Sequence, residues 1–194
     1  MDQLLTLDRE WLLYLNSHNT PWLDFIMFWI TKTEVWIPLY ILLLYLIVKV
    51  YKKGSWIVLT GVAITILLAD QITASLMKPY FARLRPSREP DLQGIIHIVN
   101  EYTGGMYGFA SSHAANTFGV ALFCWLALRN QYKWIPLLFG WAAISTYSRI
   151  YLGVHYPGDI LAGMMVGFAS GLAGFLITQY LTNKHAQTQQ LTNH

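Results

Sequence analysis

The sequence predicts an all-α integral membrane protein: about five transmembrane helices in one bundle, preceded by N-terminal interfacial amphipathic helices. Three observations carry that prediction. Of 194 residues, 55% are hydrophobic and only 12% charged, about half the charged share of an average soluble domain. Five long apolar stretches, about 35–51, 56–77, 114–129, 134–151 and 157–182, punctuate the chain. At ~1.5 Å rise per residue they extend roughly 24 to 39 Å, bracketing a hydrocarbon core of about 30 Å. Tryptophans gather at their ends, Trp22, Trp29 and Trp36 toward one interface and Trp56, Trp125 and Trp134 toward the other, as aromatic belts do.

The elements follow in order. Leu4, Leu7, Trp11 and Leu15 recur at helical spacing, with Asp2, Gln3, Arg9 and Glu10 on the other side, which reads as an amphipathic helix lying in the interface. Residues 21–31, opened by Pro21, are apolar but too short to cross. They read as a second interfacial helix, with a sixth span as the alternative. No basic n-region or small-residue cleavage site is present, so no signal peptide is expected. The transmembrane bundle then runs over 35–182, interrupted by one long polar stretch within 78–113 that carries Pro90, Gly94, Gly104, Gly105 and Gly108. A connection of that length in a small protein is expected to serve a site, as a wall or lid. A polar tail, 183–194, ends the chain, and the whole of 1–194 is read as a single domain.

Charge sets the orientation. Lys49, Lys52 and Lys53, then Arg129 and Lys133, then Lys184 fall on one side of the bundle, which the positive-inside rule makes cytoplasmic. The C-terminus is therefore expected in the cytoplasm and the protein in the inner membrane. The N-terminus, the loop 78–113 and the turn near 150–156 face the other way. Lys78, Arg83, Arg85 and Arg88 run against the charge rule on that outer side, and ligand binding is the reason to expect them there. The net charge of +3 is too small and scattered for a nucleic-acid partner. The single cysteine, Cys124, lies in an apolar run; it permits no internal disulfide and reads as a core residue.

Three polar clusters sit at the ends of apolar stretches on the outer side. Lys78, Arg85 and Arg149 are fixed cations of the kind that hold a phosphate, arginine by its planar fork and lysine as a point charge. Ser111 and Ser112 precede an apolar run, so one of them is expected to cap a helix starting near 112. The free amides and dipole of that helix N-terminus suit an anion, and His113 lies in its first turn. Pro157 is placed to open the last helix, which puts Asp159 in its first turn, able to reach back to His155. A carboxylate on one ring nitrogen leaves the other free for attack on phosphorus.

These residues resemble the type 2 phosphatidic acid phosphatase family, whose pattern is K-x6-R-P, then P-S-G-H, then S-R-x5-H-x3-D. Lys78, Arg85 and Pro86 match the first element, and Ser148, Arg149, His155 and Asp159 the third. Ala110-Ser111-Ser112-His113 stands where the family has Pro-Ser-Gly-His. The match covers about residues 56–180. By that resemblance, Lys78, Arg85, Ser111, Ser112 and Arg149 bind phosphate, and His155 attacks to form a phosphohistidine. His113 protonates the leaving oxygen and then activates water, while Asp159 orients His155. No metal or other cofactor is implied. The substrate is a lipid phosphate or pyrophosphate. Undecaprenyl pyrophosphate is favoured because an outward-facing site suits recycling of that carrier; phosphatidylglycerophosphate and lipid A are the alternatives. A non-catalytic lipid-binding or transport protein is the reading from another class. Vanadium haloperoxidases share the anion pocket but are soluble.

Lesser features complete the expectations. Arg83 and Arg88 are candidates for headgroup contacts or a second phosphate. Asp70, inside the second span, reads as a structural hydrogen-bond partner, and Gln71, seven residues from Lys78, as support for it on the same helical face. Gly163, Gly167 and Gly171 form a small-xxx-small stripe for packing within the bundle or, alternatively, for a homodimer. His18 and His97 read as incidental.

Overall fold

A computed structural model describes residues 2–192, and among these it contains helices and loops but no strands. Eight helices run in the order α1 (Asp2–Ser17), α2 (Pro21–Ile30), α3 (Ile37–Tyr51), α4 (Ser55–Asp70), α5 (Lys78–Phe81), α6 (Ser112–Leu128), α7 (Leu137–Tyr151) and α8 (Pro157–Thr192). Two helical runs, Thr33–Phe81 and Pro157–Thr188, are long and apolar enough to cross a membrane. The first of them folds back at Lys52, whose φ of 48° breaks the helix, and so makes two of the five expected columns. α6, α7 and α8 make the other three.

The bundle is apolar outside as well as in. Ile41, Leu44 and Val48 on α3, Leu67 on α4, and Leu161, Met165, Leu172 and Leu176 on α8 are all exposed. A soluble protein rarely shows such a continuous apolar coat. Inside, the buried hydroxyls of Thr65, Thr146 and Thr178 each donate to a carbonyl one turn back in their own helix. That pattern keeps polar groups satisfied where water is absent.

At the centre, α4, α6 and α8 pack on one another. The stripe on α8 makes this possible: a Cβ on Gly163, Gly167 or Gly171 would collide with the backbone of Ser111, Ala115 and Gly119 of α6 in turn. The stripe is thus consumed by packing within the chain, and the homodimer face expected as its alternative use is covered by α6. Close approach is also what draws the first turn of α8 onto the start of α6, where Ser111 N donates to Asp159 O at 3.0 Å. Ser111 is the N-cap of α6, its Oγ accepting from Ala114 N.

The polar stretch after α5 is a packed lid. Leu92 and Ile96 join Leu12 of α1 and Ile150 and Tyr156 in one cluster. Val99 packs with Tyr151, Leu152 and Val154, beside Leu23 and Met27 of α2. Asn16 ties these parts together, donating to Tyr151 O at 2.7 Å and accepting from His97 N at 2.7 Å. His97 is therefore structural, with Nε2 2.8 Å from Asp24. The two ends of the lid meet through Arg85 N to Met106 O and Gly108 N to Arg83 O, which fixes where the two arginines project.

Candidate active site

The three sequence clusters converge beneath the lid. The approach to Lys78 is not regular α-helix: a π-helical turn covers Gln71–Met77 between α4 and α5. Such turns shift the helical phase, so seven residues no longer span two turns. Gln71 consequently faces outward, while Thr73 is buried in the site with Oγ1 2.8 Å from Ser112 Oγ. Lys78 Nζ donates to the same Ser112 Oγ at 2.6 Å. Asp70 lies outside this group and accepts from Asn116 Nδ2 at 2.9 Å, a tie between α4 and α6.

His155 is 1% exposed and Asp159 0%. The hydrogen bonds of the imidazole fix its tautomer. Arg85 Nη1 lies 3.0 Å from Nε2, and a guanidinium can only donate, so Nε2 carries the lone pair. Nδ1 therefore holds the proton and donates to Asp159 Oδ2 at 3.2 Å. Asp159 Oδ2 also accepts from Tyr156 N at 3.1 Å, and Oδ1 accepts from Arg83 Nη1 at 3.0 Å. Gly108 is required alongside, since a Cβ there would stand 2.8 Å from Asp159 Oδ2.

Arg85 and Arg149 are each 7% exposed. Arg149 Nη1 donates to Thr31 Oγ1 at 2.8 Å and to Tyr102 OH at 3.0 Å; Arg85 Nη1 also reaches Val154 O at 3.2 Å. The Nε of both is buried with no acceptor among the described residues. Buried donors are paired in the great majority of structures, so two of them in one pocket suit an anion with several oxygens. Burial, then the Arg149 charge, lowers Arg85 to about 10, still cationic at neutral pH. Burial, followed by Arg85, Arg149, Lys78 and Arg83, holds His155 well below the ordinary imidazole value. A neutral, tautomer-fixed imidazole faces a set of cations.

His113 stands in the first turn of α6, its Nε2 2.8 Å from Ser145 Oγ. It also lines an apolar cavity of about 400 Å³ between α3, α4, α6 and α7, with Leu43, Ile47, Val62, Val120 and Cys124. His113 thus marks the boundary between the polar cluster and an apolar chamber.

The two arginines named as headgroup candidates differ in their surroundings. Arg83 is about one-fifth exposed and lines an open pocket with Arg9, Phe81, Glu89 and Tyr156, but its charge is already engaged. Both its terminal nitrogens are held by carboxylates, Asp159 at 3.0 Å and Asp8 of α1 at 2.8 Å. Arg88 is exposed and donates to Gly104 O at 3.2 Å. The sequence reading also missed Thr31, Thr73, Tyr102 and Ser145. Ser145 had a detectable signal, one helical turn before Arg149 and on its face; the others are brought in only by tertiary packing.

This arrangement can be set against known proteins. The PAP2 superfamily pattern matches residues 54–183. The chain belongs to that superfamily. A PAP2 relative, the lipid A 4'-phosphatase of Bacteroides thetaiotaomicron, is 37% identical over 181 residues, 92% of this chain and 80% of that protein. The lipid A 4'-phosphatase of Porphyromonas gingivalis is 36% identical over 173 residues, 88% of this chain and 72% of that one. An undecaprenyl-diphosphatase of Sulfolobus acidocaldarius is more distant, 30% identical over 158 residues, covering 79% and 69%. The crystal structure of Aquifex aeolicus LpxE superposes with a TM-score of 0.68 at 23% identity, covering 87% of this chain and 94% of that one. The protein is accordingly a bacterial-type PAP2 membrane phosphatase with an all-helical membrane fold.

Proposed function

We propose that the protein removes the 4'-phosphate of lipid A through a phosphohistidine, with its site on the extracytoplasmic face of the inner membrane. The observation that carries the chemistry is the state of His155: a neutral imidazole with its Nε2 lone pair directed at buried cations and its Nδ1 proton held by Asp159. The lipid preference rests on the two lipid A 4'-phosphatase relatives. They favour this substrate over undecaprenyl pyrophosphate, which the sequence reading had placed first. The orientation is supported by charge, since Lys49, Lys52, Lys53, Arg129, Lys133 and Lys184 all belong to the end of the bundle away from His155.

In this reading, the phosphate oxygens take donors from Lys78, Arg85, Arg149, Ser111, Ser112 and the N-terminus of α6, drawing Arg85 off Nε2. That nitrogen attacks phosphorus, the P–O bond to the sugar breaks, and the departing oxygen takes a proton from His113. His113 enters this step as the imidazolium, its proton arriving with the phosphate dianion. Water then attacks the phosphohistidine while His113, now neutral, accepts its proton, releasing inorganic phosphate and restoring the His155 imidazole and the His113 imidazolium. Fixed cations stabilise the charge on the equatorial oxygens without reorganising. The apolar chamber beside His113 receives the acyl part of the leaving group.

The test is phosphate release by purified protein in detergent from lipid A, undecaprenyl pyrophosphate and phosphatidylglycerophosphate, with mass spectrometry of the products. Lipid A is expected to react fastest and to lose the 4'-phosphate alone. Preference for the pyrophosphate would overturn the substrate assignment, and a His155→Ala variant that keeps hydrolysing would overturn the nucleophile.

A further inference from the structure

The N-terminal helix enters the site through a chain of charges that the phosphatase chemistry does not by itself require. Asp8, on the buried side of α1, has a side chain 12% exposed and binds in two directions. Its Oδ1 accepts from Gly158 N at 2.7 Å, in the first turn of α8. Its Oδ2 accepts from Arg83 Nη2 at 2.8 Å. Arg83 passes the contact on, Nη1 donating to Asp159 Oδ1 at 3.0 Å, while its guanidinium lies 3.8 Å from the centre of the Tyr156 ring. Asp159 then holds His155. Four side chains, Asp8, Arg83, Asp159 and His155, thus form one continuous line from an interfacial helix to the imidazole.

We infer that Asp8 and Arg83 are positioning residues for the His155–Asp159 pair, and that α1 is therefore part of the catalytic unit rather than only a membrane-surface anchor. The geometry gives the reason. Asp159 has two oxygens; one must meet His155 Nδ1, and free rotation of the carboxylate would swap them. Arg83 takes the second oxygen and fixes the plane. Arg83 is itself a long, flexible side chain, and it is immobilised by Asp8 at one nitrogen and Tyr156 across its face. Asp8 is immobilised in turn by an amide of the same helix turn that carries Asp159. The line closes on itself, so each member orients the next. A 1 Å error in the nucleophile is enough to lower turnover strongly.

The inference rests on the phosphohistidine reading, and its test separates the two. The full-length protein in detergent is assayed with p-nitrophenyl phosphate, a small substrate that needs no lipid contact, and each variant's melting temperature is recorded. Asp8→Asn is expected to lower kcat on the order of 10-fold with KM nearly unchanged, and Asp8→Glu to recover much of the loss. Arg83→Gln is expected to lower kcat further, and the double variant to be no slower than Arg83→Gln alone. Arg83→Gln also carries a pH signature. His155 faces Asp159 of α8, Arg83 and Arg85 of the lid, Lys78 of α5, Arg149 of α7 and His113 of α6. Removing one of these cations lets the imidazole protonate more easily, so the acid limb of kcat/KM moves to higher pH. Additive effects of the two substitutions would overturn the inference. So would Asp8→Asn at the parental rate, or a raised KM at unchanged kcat, which would make Arg83 a phosphate ligand. Equal losses in Asp8→Asn and Asp8→Glu that track a lowered melting temperature would reduce Asp8 to packing and overturn it as well. His155→Ala, dead in the same assay, keeps the nucleophile assignment independent of these outcomes.

Discussion

The polar cluster and the apolar chamber meet at His113 and are built on opposite principles. The polar cluster draws on α5, α6, α7, the lid and the start of α8, and Arg85, Ser112, Arg149, His155 and Asp159 in it are each held by two or more partners. The chamber draws on α3, α4, α6 and α7, and its walls are mostly apolar side chains, with few polar groups such as Asn116 and Thr117 among them. One half fixes angles and the other fixes only volume. The difference teaches where reaction and selectivity reside: a phosphoryl group requires donors at set positions, whereas an acyl chain is recognised by shape and burial alone. Substitutions in the two halves should then fail in different ways.

The largest expected effect is on the polar side. His155→Ala removes the proposed nucleophile, and loss of turnover by at least about 10⁴-fold is expected on any substrate, lipid or soluble. Phosphate release assays with both substrate types check it. A variant retaining activity on the soluble ester alone would break the comparison, because the polar half would then depend on the lipid.

Next comes Arg149→Lys. Lysine keeps the charge but loses the fork that lets one nitrogen hold Thr31 and Tyr102 while Nε stays free. A loss on the order of 10²-fold in kcat is expected, again alike for soluble and lipid substrates. Steady-state kinetics on each substrate give the answer.

How much of this could be read beforehand follows the same division. The motifs named every residue that touches His155 directly, and α6 begins at Ser112 and α8 at Pro157 as capping and proline chemistry indicated. Those features depend on local rules, a cap, an N1 proline or a carboxylate one turn away, and such rules are legible over a few residues. The ion pair of Arg83 with Asp8 was not legible, because the two lie 75 residues apart and no local pattern joins them. Gln71 was misplaced because a π-helical turn breaks the 3.6-residue period on which the inference relied. The chamber was invisible for a third reason. Its walls are mostly ordinary apolar residues, and only the arrangement of four helices makes them a cavity.

A pH experiment probes the polar half without turnover. His155 is buried neutral, with a pKa held well below the ordinary value first by burial and then by Arg85. The unfolded chain therefore binds a proton there at a pH where the folded chain does not, so stability rises with pH in that window. The contribution is complete above about pH 6.5, the ordinary value for histidine, and is lost progressively as pH falls below it. The parent should melt at lower temperature at pH 5 than at pH 7, and the drop should be smaller in His155→Gln. Thermal unfolding in detergent at the two pH values measures both, and an equal drop in the variant would assign the effect to other groups.

The smallest effect should come from the chamber, and it should be visible with only one kind of substrate. Val120 lies on α6 two turns below His113, half-buried against the cavity. Val120→Trp would fill much of the space near the boundary while touching none of the phosphate donors. For the lipid substrate, KM is expected to rise a few-fold to about 10-fold, since an acyl chain loses part of its buried area at roughly 25 cal/mol per Å². For p-nitrophenyl phosphate, kcat and KM should both stay near the parental values. Paired kinetics on one purified preparation read the two at once. Equal losses on both substrates would mean that the added ring displaces His113, so that chamber and cluster are mechanically one; an unchanged lipid KM would move the acyl chain out of this cavity and onto the open face of the bundle.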